Sequence, residues 1–115
     1  MPYGGHFEVL YRYRVHPAQA RAFEHAYGPQ GPWAQLFAGH PGFRRTRLFR
    51  HKALTGVYVT LDVWETKAHW EAFHRAAEEA YRVLDRRLAM LKLDEQLLGF
   101  YEGSEEYQAP PDRDD

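Results

Sequence analysis

Residues 56–66, with the sequence GVYVTLDVWET, constrain the fold most, because neither face of this segment suits water. Side chains of two kinds alternate along it, and a period of two predicts a β-strand. One face carries Val57, Val59, Leu61 and Val63, and the other carries Tyr58, Thr60, Asp62 and Trp64. A strand with one face in water carries mostly polar residues on that face. The sequence therefore predicts a strand that is covered on both sides.

The remaining elements follow from the same kind of pattern. Strands are predicted at residues 6–16, 42–51 and 95–103, besides the strand at 56–66. A helical region in two pieces lies between the first two strands. Thr66 is a predicted N-cap for one long helix, whose apolar side chains recur at steps of three and four. The order βαββαβ predicts an α+β, ferredoxin-like fold: an antiparallel four-stranded sheet with both helices on one face.

Such a sheet leaves its second face without a cover of its own. None of the predicted strands offers a fully polar face to water, and large exposed apolar surfaces mark interfaces. A two-fold homodimer that packs the two sheets together is the simplest cover. The sequence therefore predicts a dimeric α/β barrel with the sheet face as the interface.

Length and composition set the remaining bounds. A chain of 115 residues fits one domain, predicted at residues 1–103, and the acidic residues 104–115 are predicted to be a disordered tail. The net charge of −1 argues against nucleic acid as a partner, and the absence of cysteine excludes disulfides and thiolate ligands. Because no signal-peptide pattern or bilayer-spanning apolar run occurs, we expect a cytoplasmic protein without membrane contact.

Several segments resemble the antibiotic biosynthesis monooxygenase (ABM) domain. They include FEHAYGPQGPWAQLF, the strand start PGF and the strand-to-helix junction LDVWET, and the resemblance extends from about Phe7 to about Glu102. It implies membership of the dimeric α+β barrel group, with a pocket between sheet and helices in each subunit. It also implies oxygenation of an electron-rich aromatic compound with no cofactor, because the substrate anion itself reduces dioxygen.

The resemblance also implies positions for the site. Oxygenating relatives use an asparagine in the third strand, a tryptophan at its end and a tyrosine in the next helix. These positions hold Thr60, Trp64 and Trp70 here, so the tryptophan is kept while the amide and the phenol are replaced. The haem-degrading branch uses an asparagine and an axial histidine. Because the chain has no asparagine and Val83 falls near the histidine position, haem binding is disfavoured.

Two residues are candidate catalytic bases. Asp62 lies between aromatic neighbours, and a carboxyl group in apolar surroundings has a raised pKa that suits a base. Its alternative role is an ion pair with Arg12 or Arg14 across the sheet. His74 borders the apolar stripe of the long helix and can accept a proton near neutral pH. Its alternative role is that of a half-exposed surface residue.

A small aromatic ligand is predicted to contact one set of side chains: Tyr58, Thr60, Trp64, Trp70 and Phe73. The alternative is that the aromatic members of this set only fill the core. No metal site is predicted, because the single Glu-x-x-His motif at Glu71 and His74 lacks a second copy. The predicted function is cofactor-independent oxygenation of a small aromatic or quinol-like compound. A non-catalytic ligand-binding or housekeeping dimer of the same fold is the alternative.

Overall fold

A computed structural model describes residues 5–104 of the chain. The strands are β1 (His6–Arg14), β2 (Phe43–Arg50), β3 (Val57–Trp64) and β4 (Asp94–Gly103). The helices are α1 (Ala20–Tyr27), α2 (Pro32–Ala38), α3 (Lys67–Ala76) and α4 (Glu78–Leu88). Single 3₁₀ turns precede α1 and follow α4. Apart from Ser104, the predicted tail lies outside the described residues.

The four strands form one antiparallel sheet in the order β2-β3-β1-β4. This is the predicted ferredoxin-like α+β arrangement, and the prediction is confirmed. Within the sheet, Asp62 of β3 lies opposite Val9 of β1 and Thr46 of β2. The ladder between β1 and β4 changes register between Leu10 and Tyr11. This irregularity gives β4 one extra residue and increases its local bend.

The second helical region begins at the predicted residue but is not one helix. The Thr66 side chain accepts a hydrogen bond from the His69 backbone N–H, which satisfies a donor that the first helical turn leaves free. The predicted single helix is divided at Ala77, whose dihedral angles (φ −108°, ψ 20°) depart from helical values. The break lets α3 pack on β3 while α4 packs on α2.

The core lies between the helices and the face of the sheet that carries the even-numbered residues of β3. Tyr58, Thr60 and Trp64 are nearly inaccessible to solvent. Rings from β1, the helices and β3 pack in one cluster, in which the Phe23 ring stacks on Tyr27 at 4.3 Å. This is the predicted cover for one face of the strand.

The opposite face of the sheet is covered only in part, since Val63 at one end of it is buried while the rest is accessible. Val59 and Leu61 are half-buried there, and Phe49, which lies opposite Val59, is 40% exposed. Tyr101 of β4 is 51% exposed. Apolar and aromatic side chains therefore meet solvent in a single chain, as expected for a surface that binds a partner.

Gly42 explains why the strand start PGF is a specific sequence feature. Its φ of +90° lies in a region that favours glycine. An added Cβ would also lie 2.2 Å from the His69 ring, in the first turn of α3. The Gly42 carbonyl accepts a hydrogen bond from the Glu65 N–H at 2.7 Å. The glycine thus permits close contact between the start of β2 and the end of β3.

The described helices are all too short or too polar to cross a lipid bilayer.

Candidate functional site

A cleft lies between the core face of the sheet and the helices. Its floor comes from three strands: Tyr11, Tyr13, Thr46, Thr60 and Asp62. Its wall comes from α1, α2 and α4: Tyr27, Trp33, Phe37 and Tyr81. The cleft has about 410 Å³ of empty space, part of it open to solvent, and only a small fraction of that space is wide enough for a water molecule. It is therefore narrow, and a ring-sized ligand requires side chains to shift.

Asp62 lies on the floor of this cleft. The Thr46 hydroxyl donates a hydrogen bond to Asp62 Oδ1 at 2.8 Å. Burial raises the pKa of Asp62 to about 6, although the Thr46 hydrogen bond acts in the opposite direction. A carboxylate with this pKa is ionised at neutral pH and is a stronger base than an exposed aspartate.

The ion-pair alternative for Asp62 does not fit the sheet register. Arg12 lies opposite Val59 and Arg14 lies opposite Val57. Residues that are directly opposite share a face, so both arginines are on the face that Asp62 does not occupy. Arg14 instead pairs with Asp94 at 2.7 Å. This alternative is excluded.

A second, smaller pocket adjoins the cleft and holds about 270 Å³ of empty space. Five predicted site residues line it: Asp62, Trp64, Trp70, Phe73 and His74. It shares Asp62 with the larger cleft, together with Tyr11, Phe37 and Tyr81. Asp62 therefore faces both spaces, and the structure brings most of the predicted residues to them.

The predicted residues differ in how accessible they are. Trp64 and Phe73 are only 1% and 2% exposed, and their rings lie 5.2 Å apart within the core. Trp70 is half-buried. Both tryptophans and Phe73 thus serve the core as well as the pocket wall, and Trp70 presents more of its surface than the other two.

His74 is half-buried among rings. Its imidazole lies 4.6 Å from the Trp70 ring and 5.2 Å from the Tyr81 ring. Desolvation lowers the pKa of His74, so the ring is neutral at neutral pH and can accept a proton.

Tyr58 is the predicted site residue that the structure does not bring to the cleft. Its hydroxyl donates a hydrogen bond to Glu24 Oε2 at 2.6 Å, and it lines a separate depression near Arg50 and His51. Tyr58 lies on the same face as Asp62, but four residues of extended chain separate them by more than 10 Å. The alternation of side chains along β3 correctly predicted the sheet face on which Tyr58 lies. It could not predict that the cleft ends before Tyr58.

Lys92 was missed by sequence reasoning. It follows α4, and its side chain is only 14% exposed because it reaches into the cleft. Lys92 Nζ lies over the rings of Tyr13 and Tyr27, at 5.7 and 5.8 Å from their centroids. Burial alone would lower the pKa of Lys92, but the hydrogen bond to Glu95 and the negative charges of Glu95 and Asp85 raise it. Lys92 is therefore a protonated cation at the cleft.

The cleft also contains phenols that remain protonated. Desolvation is the main cause of a raised pKa for Tyr11, Tyr13 and Tyr81, and nearby carboxylates such as Glu95 raise it further. These hydroxyls can donate hydrogen bonds but cannot serve as bases near neutral pH. Asp85 and Glu95 also line the cleft but are ion-paired with Lys92, so proton acceptance falls to Asp62 or His74. Within residues 5–104, no group of three or more histidine and acidic side chains is placed to hold a metal ion.

Comparison with known proteins identifies the family that has this architecture. The family model for antibiotic biosynthesis monooxygenase matches residues 7–82, which is more than half of the chain. The chain belongs to the ABM family. Curated proteins yielded no significant match to this ABM chain.

Solved structures share the ABM fold at low sequence identity. SnoaB, a cofactor-independent oxygenase from Streptomyces nogalater, is 23% identical with a TM-score of 0.65, covering 93% of this chain and 98% of SnoaB. PA3566 from Pseudomonas aeruginosa is 13% identical with a TM-score of 0.61, covering 86% of this chain and 94% of PA3566. The ABM fold therefore extends over nearly the whole described chain.

Proposed function

We propose that this ABM protein oxygenates a small aromatic or quinol-like compound without a cofactor. The observation that supports this most is Asp62, a carboxylate whose pKa is raised to about 6 and which faces two aromatic-lined spaces. A base of this strength can remove a proton from an acidic aromatic substrate at neutral pH. The surrounding rings exclude water from the anion that forms.

The reaction needs only the substrate and dioxygen. Asp62 takes a proton from a ring methylene, and the resulting carbanion gives one electron to O₂. The carbon radical and superoxide then combine into a peroxide, which takes up the proton and loses water. In sum, CH₂ and O₂ become C=O and H₂O, so one oxygen atom enters the product and the other leaves as water. Trp64 and Trp70 enclose the ring and Thr60 positions it, while His74 is the alternative acceptor of the proton.

Oxygen consumption tests this function directly. We expect the purified protein, with no added metal or flavin, to consume about one O₂ per anthrone oxidised, as the balanced reaction requires. An oxygen electrode and product absorbance measure both quantities, with the autoxidation rate in buffer subtracted. Anthrone binding without faster oxygen uptake would contradict oxygenation and favour the non-catalytic ligand-binding dimer.

We further propose that the partly covered sheet face forms a two-fold homodimer. Leu61 lies near the middle of that face, opposite Leu10 and Arg47. Leu61→Lys places a charge where a second sheet would pack, and desolvating an unpaired charge costs several kcal/mol. We expect wild type to sediment as a dimer at micromolar concentration and the variant to sediment as a folded monomer.

The chain offers a matched control for this experiment. Leu54 is 55% exposed and lies between β2 and β3, outside the sheet. Leu54→Lys introduces the same charge and is expected to leave the dimer intact. A wild-type protein that is folded and strictly monomeric would contradict the proposed interface.

A further inference from the structure

Two buried hydrogen-bonding groups at the cleft lack a hydrogen bond of good geometry within residues 5–104. Tyr27 and Trp33 are 4% and 6% exposed, and both line the cleft. Neither the Tyr27 hydroxyl nor Trp33 Nε1 forms a hydrogen bond of normal length and angle with any described residue. Buried polar groups are nearly always paired, because an unpaired group loses its bonds to water without replacement. This pair therefore requires an explanation.

The chemistry of the two groups identifies what is missing. An indole N–H can only donate, and a protonated phenol can donate its single hydrogen. Lys92 adds a third donor beside them, since its ammonium lies over the Tyr27 ring. Desolvation raises the pKa of Tyr27, and the nearby Lys92 ammonium and Trp33 N–H act in the opposite direction. Three donors are gathered at one end of the cleft, and the complementary group is a hydrogen-bond acceptor.

We propose that Tyr27, Trp33 and Lys92 form a subsite for the carbonyl oxygen of an enolisable aromatic ketone. The inference rests on the proposed function for its chemical step. When Asp62 removes a proton from the activated carbon, the C–H electron pair forms the enolate C=C and the carbonyl pair moves to oxygen. The three donors then stabilise the negative oxygen. Donors fixed before the reaction are most effective where charge develops.

The acidic groups around Lys92 are compatible with this role. Lys92 forms an ion pair with Asp85 at 3.2 Å and a shorter one with Glu95. The carboxyl side chains are 50% and 39% exposed, whereas the lysine side chain is 14% exposed. Both carboxylates also line the cleft, but they are ion-paired with Lys92 and are more exposed than the lysine. They keep it protonated, and the neutral donors of Tyr27 and Trp33 lie deeper.

Ligand binding under nitrogen tests the subsite without any turnover. The probes are 1-tetralone and tetralin, which have the same fused-ring frame with and without the carbonyl oxygen. We expect wild type to bind 1-tetralone at least about tenfold more tightly than tetralin. Tyr27→Phe removes only the hydroxyl and should reduce this preference about three- to tenfold. Because that hydroxyl forms no well-directed hydrogen bond within the described residues, the melting temperature should stay the same or rise.

Tyr58→Phe is the matched control. Its hydroxyl is bonded to Glu24 and lies outside the cleft, so the substitution should lower the melting temperature and leave the ketone preference unchanged. Lys92→Met should also reduce the preference, whereas Lys67→Met, at a side chain that is 66% exposed, should not. A preference that survives Tyr27→Phe, or a wild type that does not favour the ketone, overturns the subsite. Ketone preference without oxygen uptake supports the subsite and contradicts only the oxygenase function.

Discussion

Replacing Asp62 by asparagine is expected to lower kcat/KM for oxygen consumption by about two to four orders of magnitude, the usual contribution of a general base. The amide keeps the shape of the carboxyl group and can still accept the Thr46 hydrogen bond. It cannot accept a proton from the substrate. In wild type, activity should rise with pH through about 6, because Asp62 must be ionised.

The same substitution should stabilise the fold at neutral pH. The pKa of Asp62 is raised by folding from 3.8 to about 6, so the folded state favours the protonated form. When Asp62 ionises at higher pH, the free energy of unfolding therefore falls. Asp62→Asn removes this cost, and we expect a gain of about 1 to 3 kcal/mol at pH 7. Urea unfolding should show the gain growing between pH 4 and 6 and vanishing below pH 4.

Glu71→Gln is the control for both effects. Its carboxylate lies 3.9 Å from Lys67 Nζ on α3, and the two side chains are 47% and 66% exposed. Surface pairs contribute little, so activity and stability should change only slightly. Full oxygen uptake by Asp62→Asn would show that Asp62 is not the base, and His74 would then be the remaining candidate.

Replacing Trp64 by alanine is expected to cost about 3 to 5 kcal/mol of unfolding free energy, as for other large core residues. Trp64 is 1% exposed, and its ring lies within 6 Å of Phe37, Phe43 and Phe73. The cavity left by alanine cannot be filled without moving several of these rings. Denaturant unfolding followed by circular dichroism measures the loss.

Trp70→Ala separates packing from ligand contact. Trp70 is half-buried and lines the smaller pocket, so its loss should cost less stability while still weakening ligand binding. Activity lost in Trp64→Ala alone therefore says little about the substrate, since the fold is damaged at the same time. A Trp64→Ala protein as stable as wild type would contradict its assignment to the core.

The strongest sequence patterns predicted the fold correctly. The alternation in β3 identified both faces of the strand, and the cap at Thr66 located the start of α3, because these features depend on local spacing. The break at Ala77 was not predictable, since alanine is a good helix former. The break accompanies separate contacts of α3 with β3 and of α4 with α2, and contacts between distant segments cannot be read from a local sequence window.

The site was predictable only in part. Asp62 stood out because a charge between two aromatic residues on one strand face is unusual. Lys92 and Tyr27 did not stand out, because a lysine after a helix is ordinarily exposed and a tyrosine in an apolar stripe ordinarily packs. Their proximity arises when β1, α1 and the segment after α4 come together. Contacts between distant segments of this kind leave no signal in residue spacing.

The position of Glu95 has a thermodynamic consequence. It belongs to β4, the most exposed strand, yet it binds the ammonium group at the cleft. If a second copy packed on the proposed interface and displaced β4, Glu95 would move with that strand, and with Glu95 the cation at the cleft. Dimerisation and ligand binding would then be coupled. The factor by which dimerisation changes the affinity for ligand would equal the factor by which saturating ligand changes the affinity of dimerisation.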